Sequence, residues 1–168
     1  MPNWCENRWT IDAQTPERVQ EIAEALQVDG KFSFNSLIPM PEILKRTASG
    51  SITIDGENVR SWITETDADG KRIDRLPTET EKAQLKEIGA SNWYEWANDN
   101  WGTKWDACNV EMHVFGSGIS LSFDTAWGPP APVARALADK FDHIDFHPRW
   151  GGVEMELDDE GGFIDLEY

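Results

Sequence analysis

The sequence predicts an α+β protein with a ferredoxin-like split βαβ sandwich, in which an antiparallel sheet carries two helices on one face. Three observations lead to this prediction. A β-hairpin pattern occupies 110–123, and in each half of the chain a strand pattern is followed by an amphipathic helix pattern. A short strand pattern at 144–146 closes the series. A large α/β insertion after the first helix and a C-terminal β-hairpin extension complete the predicted architecture.

The first βα unit begins with a strand at 4–12, where alternate residues should lie on opposite faces. A helix is expected to follow Thr15, because Thr is a favoured N-cap and Pro16 fits the first helical position. Asp29-Gly30 is predicted to end this helix. The apolar stripe that should lie on the sheet consists of Val19, Ile22, Ala23 and Leu26.

The central hairpin has the clearest pattern. Apolar and polar residues alternate on both sides of Gly116-Ser117-Gly118, which predicts two strands joined by a short turn. The apolar positions are Val110, Met112, Val114, Ile119, Leu121 and Phe123.

A second unit follows the hairpin. The proline-rich stretch at 129–132 leads into an amphipathic helix with Val133, Leu137 and Phe141 on one stripe. Both units have a strand with an Asp near its end and then a helix that starts at Pro, which indicates a weak internal repeat. Alternation at 153–157 and again from 163 predicts the C-terminal hairpin.

We interpret 32–106 as a structured insertion within a single domain of 1–168, because a structureless loop of this length is improbable in a compact domain. Short strands are predicted at 51–55, 59–64 and 71–74. A helix should then begin at the capping box of Thr78 and Glu81 and end at Gly89. Another should run from Asn92 to about Gly102.

Tryptophan is abundant, with nine copies, and four of them lie close together at the end of the insertion. If buried, four indoles could contribute about 15–25 kcal/mol as an upper bound, and an insertion with few aliphatic residues needs such anchors. If exposed, they would form a ligand-binding face. The sequence favours anchoring, and the two roles can coexist. The candidate ligand-facing cluster comprises Trp93, Trp96, Trp101, Lys104, Trp105, Trp127, Asp12 and Asp124.

The charge balance is strongly acidic, with 31 Asp and Glu against 15 Lys and Arg, a net charge of -16. Non-specific nucleic-acid binding depends on cationic side chains, so direct binding of DNA or RNA is disfavoured. The hydrophobic content of the sequence, 39%, argues against a disordered chain. Since no apolar run approaches a membrane span and the start lacks a signal-peptide core, we expect a cytoplasmic protein without membrane contacts.

The cysteines and histidines match no metal motif. Cys5 and Cys108 are too few for an iron–sulfur cluster. The spacing of His113, His143 and His147 fits no zinc site. We therefore expect no metal and no cofactor.

No catalytic motif is present, and we assign no catalytic residue. One pair of carboxylates is of chemical interest, because Asp12 and Asp124 come near the ends of corresponding strands in the two units. At one sheet edge, two such groups could raise one pKa and act in acid–base chemistry. The simpler interpretation is that each aspartate caps the loop that follows it.

Four ordered blocks of sequence resemble the YubB family: MPNWCEN at 1–7, FNSLIPMP at 34–41, NWY…NWGTKWDA at 92–107, and FDTAWGPP at 123–130. These phage- and plasmid-encoded proteins are described as carrying a ferredoxin-like domain. The resemblance implies that fold and an origin in a mobile genetic element. It implies neither an established activity nor iron–sulfur chemistry. The region 55–79 lies outside the blocks and is interpreted as a variable tip.

These observations favour a non-enzymatic protein-interaction module of a mobile genetic element. In its most specific form, the chain would be an acidic DNA mimic that inhibits a basic DNA-binding or host defence protein, with charge steering the encounter. The alternative is a small enzyme or ligand-binding protein that uses the Trp-rich insertion and the two strand-end aspartates. Oligomeric state is left open. The candidate partner-binding acidic face comprises Glu154, Glu156, Asp158, Asp159, Glu160, Asp165 and Glu167.

Overall fold

The structure is a computed structural model that describes residues 3–157 and 163–165. In chain order its elements are β1 (Trp4–Ala13), α1 (Pro16–Ala25), β2 (Gln27–Val28), β3 (Lys31–Phe32), a 3-10 helix (Phe34–Ser36), α2 (Glu42–Lys45), β4 (Thr47–Ile54), β5 (Glu57–Thr66), β6 (Arg72–Arg75), α3 (Glu79–Ile88), α4 (Trp93–Trp101), β7 (Cys108–Phe115), β8 (Gly118–Ala126), α5 (Ala131–Lys140), β9 (Ile144–Trp150), β10 (Val153–Leu157) and β11 (Phe163–Asp165).

The chain divides into two compact units. Unit 1 consists of Met1–Pro39 and Asn100–Tyr168, and unit 2 is Met40–Asp99. Unit 2 is shorter than the insertion expected at 32–106, because the residues flanking it at both ends pack into unit 1. Phe34, from one flank, is fully buried and its ring lies 5.8 Å from that of Trp101, from the other.

Unit 1 contains a sheet of six strands in the order β11-β10-β9-β1-β8-β7, and each neighbouring pair is antiparallel. Its central part has ferredoxin-like topology. The four central strands β9-β1-β8-β7 have the ferredoxin-like order. Helix α1 follows β1, and helix α5 connects β8 to β9. Both helices contact the sheet. The prediction of an α+β chain with an antiparallel ferredoxin-like sheet is confirmed.

The first βα unit forms as the sequence indicates. Alternate residues of β1 are buried, and the Thr15 hydroxyl accepts a hydrogen bond from the Arg18 N–H at 3.2 Å to cap α1. The end of the helix differs from the prediction. It stops at Ala25, and Asp29-Gly30 instead forms the turn of a small hairpin between β2 and β3. Their φ angles of 52° and 78° are those of a left-handed turn, which matches the twist of paired strands.

The core of unit 1 is rich in aromatic side chains. Trp9 on β1 and Phe123 on β8 meet with ring centroids 4.9 Å apart in an edge-to-face arrangement. Phe32 and Phe34 extend this cluster toward Trp101. Aliphatic residues of the two helices complete the core: Val19, Ile22, Leu26, Val133 and Leu137.

The opposite side of the same sheet is polar, and we call it the open face. Glu6 and Arg8 on β1, and His147 and Arg149 on β9, point outward there and are exposed. Because side chains alternate along a strand, these residues lie on the side away from the aromatic core. The sheet thus buries one face and presents the other.

Unit 2 has a three-stranded antiparallel sheet, β4-β5-β6, followed by α3. The capping box predicted from Thr78 and Glu81 is present: the Thr78 hydroxyl accepts from the Glu81 N–H, and the Glu81 carboxylate accepts from the Thr78 N–H. Gly89 ends α3 in the left-handed conformation, with φ 83°. The Asn92 side chain starts α4 by accepting the N–H groups of Tyr94 and Glu95, both at 3.0 Å.

A network of ion pairs joins the sheet of unit 2 to α3. The Arg75 guanidinium donates to the Glu81 carboxylate at 2.7 and 2.9 Å and to Glu65 at 2.6 and 3.1 Å. Arg46 also contacts both carboxylates. Hydrogen bonds from Arg75, and then from the Thr78 N–H, lower the pKa of Glu81 to about 2.

No helix in the described part of the chain is long and apolar enough to cross a membrane.

Candidate partner-binding site

The four neighbouring tryptophans at the end of the predicted insertion do not share one environment. Trp101 and Trp96 are only 4% and 6% exposed. The Trp101 indole N–H donates to the Ile38 carbonyl at 2.9 Å, which fixes it within unit 1. Trp93 and Trp105 are half-buried, and Trp93 lies edge-on to Tyr94. Two of the four indoles are therefore buried, and the others retain accessible surface.

An exposed aromatic cluster forms around Trp105, and we call it the tryptophan patch: Trp4, Lys104, Trp105 and Trp127. Trp4 and Trp127 are 48% and 51% exposed. The Trp4 and Trp105 ring centroids are 5.9 Å apart, and the Lys104 ammonium lies 4.3 Å from the Trp105 centroid and 5.4 Å from that of Trp127. A lysine over two indole faces is a favourable cation–π arrangement.

The patch is assembled from three separate parts of unit 1. Trp4 starts β1 and is paired with Ala126 at the end of β8, so Trp127 follows directly beside it. The Trp127 N–H donates to the Asn3 carbonyl at 2.9 Å. The Thr103 hydroxyl donates to the Ala126 carbonyl at 2.9 Å, which holds the loop of Lys104 and Trp105 against the same strand end.

The backbone at Trp127 is strained. Its φ angle is 70°, a conformation that bulky L residues rarely adopt. The Gly128 N–H donates to the Ala126 carbonyl at 3.0 Å across Trp127, which makes a γ-turn with a positive central φ, the rarer and more strained form. Such strain persists only where surrounding structure enforces it, and it is concentrated at functional sites.

A buried polar network enforces this turn. Asn7 is fully buried on β1 and donates from Nδ2 to the Thr125 hydroxyl at 2.9 Å. Thr125 in turn donates to the Gly128 carbonyl at 2.7 Å. Hydrogen bonds from the sheet interior therefore fix the loop that presents Trp127.

The surroundings of the patch are acidic. Glu6 follows Trp4 on the same face of β1, and the register places Asp124 of β8 directly opposite Glu6. Asp124 accepts a hydrogen bond from the Asn109 amide at 2.8 Å. Unit 1 as a whole has 19 acidic and 7 basic residues, a net charge of -12.

The hypothesis that Asp12 and Asp124 share one sheet edge is wrong. The register pairs Asp12 with Gly118 and Asp124 with Glu6, so the two aspartates are six positions apart along β1. At about 3.4 Å per residue this separates them by about 20 Å. The topology prediction was right that β1 and β8 are neighbours, but antiparallel neighbours bring the start of one strand to the end of the other. Asp12 therefore does not belong to the aromatic cluster.

The predicted acidic face falls in the least described part of the chain. Asp158, Asp159, Glu160 and Glu167 lie outside the described residues. The backbone places Glu154 and Glu156 on β10 and Asp165 on β11. This face stays a prediction.

The surroundings of Cys108 disfavour its thiolate form. Cys5 is buried and Cys108 is half-buried, and both are free. Burial, and then the carboxylates of Asp106 and Asp124, raise the pKa of Cys108. A raised pKa keeps a thiol protonated and unreactive. In the described ranges, no three His, Cys, Asp or Glu side chains are grouped so that they could hold a metal ion.

Comparison with known families supports the fold class. Residues 100–161 match the family model described as "Ferredoxin-like domain in Api92-like protein". The match spans β7, β8, α5 and β9, together with Lys104, Trp105 and Trp127 of the patch. The chain therefore carries a ferredoxin-like domain, and the resemblance holds at that level. Neither the curated proteins nor the solved structures include a significant match to the chain.

Sequence reasoning missed Trp4 as a patch residue. The signal was present, because Trp4 alternates with the buried positions of β1 and shares its face with Glu6 and Arg8. A large apolar residue on the polar side of an amphipathic strand is evidence of a contact surface.

Proposed function

We propose that this chain is a non-enzymatic protein-interaction module whose tryptophan patch contacts a basic surface of a partner protein. The observation that carries the proposal is Trp127, half exposed on a strained turn that hydrogen bonds from the sheet interior hold in place. A fold that only needed to be stable would place a glycine at this φ angle.

The composition of the patch favours a protein partner. The few residues that supply most of the binding energy at protein interfaces are enriched in tryptophan, tyrosine and arginine. Three indoles within one cluster, two of them about half exposed, provide such anchors. Contiguous aromatic surface of this kind is uncommon on a monomer without a binding role.

The charge around the patch favours a basic partner. Glu6 and Asp124 lie beside Trp4, and unit 1 carries a net charge of -12. An arginine of the partner could stack on an exposed indole while a neighbouring carboxylate accepts its N–H groups. Charge complementarity would also speed the encounter, and this effect would weaken with salt.

We further propose that the module serves a mobile genetic element and, in its most specific form, acts as a DNA mimic toward a basic host protein. The sequence blocks that resemble the YubB family and the net charge of -16 support this extension. The acidic residues of the C-terminal hairpin, from Glu154 to Glu167, would supply the phosphate-like charges.

The patch is tested with defined peptides. We expect an arginine-rich peptide to quench tryptophan fluorescence in a salt-dependent titration, and Trp127→Ala and Trp4→Ala each to weaken binding by about tenfold or more. Trp150→Ala is the matched control, since Trp150 is also exposed and lies in β9. Equal affinity for an acidic peptide, or unchanged binding by both patch variants, would refute the proposal.

The mimic is tested separately with the full chain as bait. Charge reversal at Glu156, Asp158 and Glu160 should abolish capture of a basic DNA-binding protein from host extract, and added DNA should compete with that capture. If DNA does not compete, the mimic hypothesis fails while the patch proposal stands.

A further inference from the structure

Two arginines face each other on the open face of unit 1. Arg8 of β1 and Arg149 of β9 are direct partners in the antiparallel register, and both are exposed. They line a pocket of about 360 Å³ together with Glu6, Gly151 and Gly152. We call this the arginine pocket.

The two arginines occupy directly opposed positions on neighbouring strands. Side chains that are direct cross-strand partners have Cβ atoms about 4.5–5.5 Å apart, and like charges at such positions repel. The repulsion stands out because unit 1 holds only 7 basic residues against 19 acidic ones. Carboxylate residues flank the pair on both sides, because Glu6 accepts hydrogen bonds from Arg8 and the register places Glu154 of β10 opposite Arg149.

The wall of the pocket is shaped by glycines. Gly151 and Gly152 form the tight turn between β9 and β10, with φ angles of 57° and 87°. The Gly151 N–H donates to the Glu6 carbonyl at 3.2 Å and so ties the turn to β1. Because glycine has no side chain, Gly151 and Gly152 leave room for a ligand beside the two arginines.

Glu6 shows that Arg8 binds an oxyanion. Its carboxylate Oε1 takes hydrogen bonds from Arg8 Nε at 2.9 Å and from Nη2 at 2.6 Å. Both side chains are largely exposed, so this ion pair contributes little to stability and is readily exchanged. A ligand oxyanion could take the place of Glu6 and reach Arg149 at the same time.

We propose that the arginine pocket binds a small molecule through a compact oxyanion, a phosphate or phosphate monoester group, held by both guanidinium groups. Arginine forks match the geometry of phosphate oxygens and give paired, charge-assisted hydrogen bonds. The pocket volume lies within the range of small-molecule sites. The inference rests on the register of β9 and on this pocket, and not on the exposure of the indoles in the tryptophan patch.

The test is calorimetric titration of the full chain with inorganic phosphate, with pyrophosphate and with glycerol phosphate. We expect Arg8→Gln and Arg149→Gln each to weaken binding by about tenfold or more. Glu6→Gln removes the competing internal carboxylate and should strengthen binding several-fold. Arg18→Gln is the control, because Arg18 lies on α1, on the helix side of the sheet.

Four results of these titrations would overturn the proposal. They are no binding to any of the three probes at about 10 mM, wild-type affinity in both pocket variants, an equal loss in the Arg18 control, and weaker binding in Glu6→Gln. A further experiment measures competition between a single-stranded oligonucleotide and pyrophosphate. If the oligonucleotide displaces pyrophosphate at a lower concentration than glycerol phosphate does, the phosphate source is a nucleic acid and the small-molecule assignment is wrong.

Discussion

Trp127 combines backbone strain with side-chain exposure, and the two can be separated by mutation. We expect Trp127→Gly to be more stable than Trp127→Ala by about 1 kcal/mol, because glycine adopts a φ of 70° freely and alanine does not. Both variants lose the indole and should bind the arginine-rich peptide equally weakly. The measurement is the free energy of unfolding in urea.

At most other positions, glycine is less stable than alanine, because it gains more conformational freedom on unfolding. A Trp127→Ala variant that matches or exceeds Trp127→Gly in stability would therefore show that the turn carries no strain. Trp150→Gly and Trp150→Ala provide the comparison at a position within a strand.

The sequence predicted which indoles were candidates but not which would be exposed. Trp101 and Trp105 are four residues apart in one aromatic block, yet only Trp101 finds a core partner in Phe34 and a carbonyl for its N–H. These partners come from the other flank of unit 2, so the distinction depends on tertiary structure. The positive φ of Trp127 was equally hidden in the sequence, because the hydrogen bond from the buried Asn7 to Thr125 that helps to fix the turn joins two different strands.

Among the elements, α3 depends most on a single side chain. Glu81 completes the capping box with Thr78 and accepts hydrogen bonds from Arg75. Its pKa in the folded chain, about 2, is lowered from 4.5. The stabilisation is therefore complete above the unfolded pKa and is lost as pH falls from 4.5 toward about 2.

We expect Glu81→Gln to reduce the free energy of unfolding at neutral pH by about 1–3 kcal/mol, through weaker hydrogen bonds to Arg75 and the helix cap. The difference between variant and wild type should shrink across the acidic range, which urea unfolding at several pH values between 2 and 6 would show. Glu79→Gln is the control in the same helical turn. A difference that stays constant with pH would contradict the assigned role of Glu81.

Local sequence signals predicted most elements well. Thr15-Pro16, Thr78 with Glu81, and Asn92 each start a helix where expected, because capping is a short-range interaction. Asp29-Gly30 shows the limit of such signals. The same dipeptide can end a helix or turn a hairpin, and pairing of Gln27 with Phe32 decides between them.

At the scale of the whole molecule, the net charge of -16 sets a dependence on salt. We expect the melting temperature to rise by several degrees between about 10 mM and 300 mM sodium chloride, because screening reduces the repulsion among carboxylates. Binding of a basic peptide should weaken over the same range. A melting temperature that falls with salt would mean that attractive ion pairs, such as those of Arg75, outweigh the general repulsion.

The topology was predictable from the order of elements, but the site was not. The strand and helix patterns indicated the split βαβ arrangement, and from it the pairing of β1 with β8. Asp12 and Asp124 lie far apart because the strands pair antiparallel, so that corresponding ends of β1 and β8 are at opposite ends of the pair. Arg8 and Arg149 are recognised as direct partners only from the register between β1 and β9. The periodicity of the sequence does not provide that register.

Glu6 stands between the two binding surfaces, two residues from Trp4 on one side and bonded to Arg8 on the other. An anion that captured Arg8 would release this carboxylate toward the indoles, where it could meet a cationic partner. The reverse would also hold, because linkage between two sites acts equally in both directions. Anion binding at the arginine pocket would then strengthen binding of a cationic partner at the tryptophan patch, with Glu6 as the residue that couples the two sites.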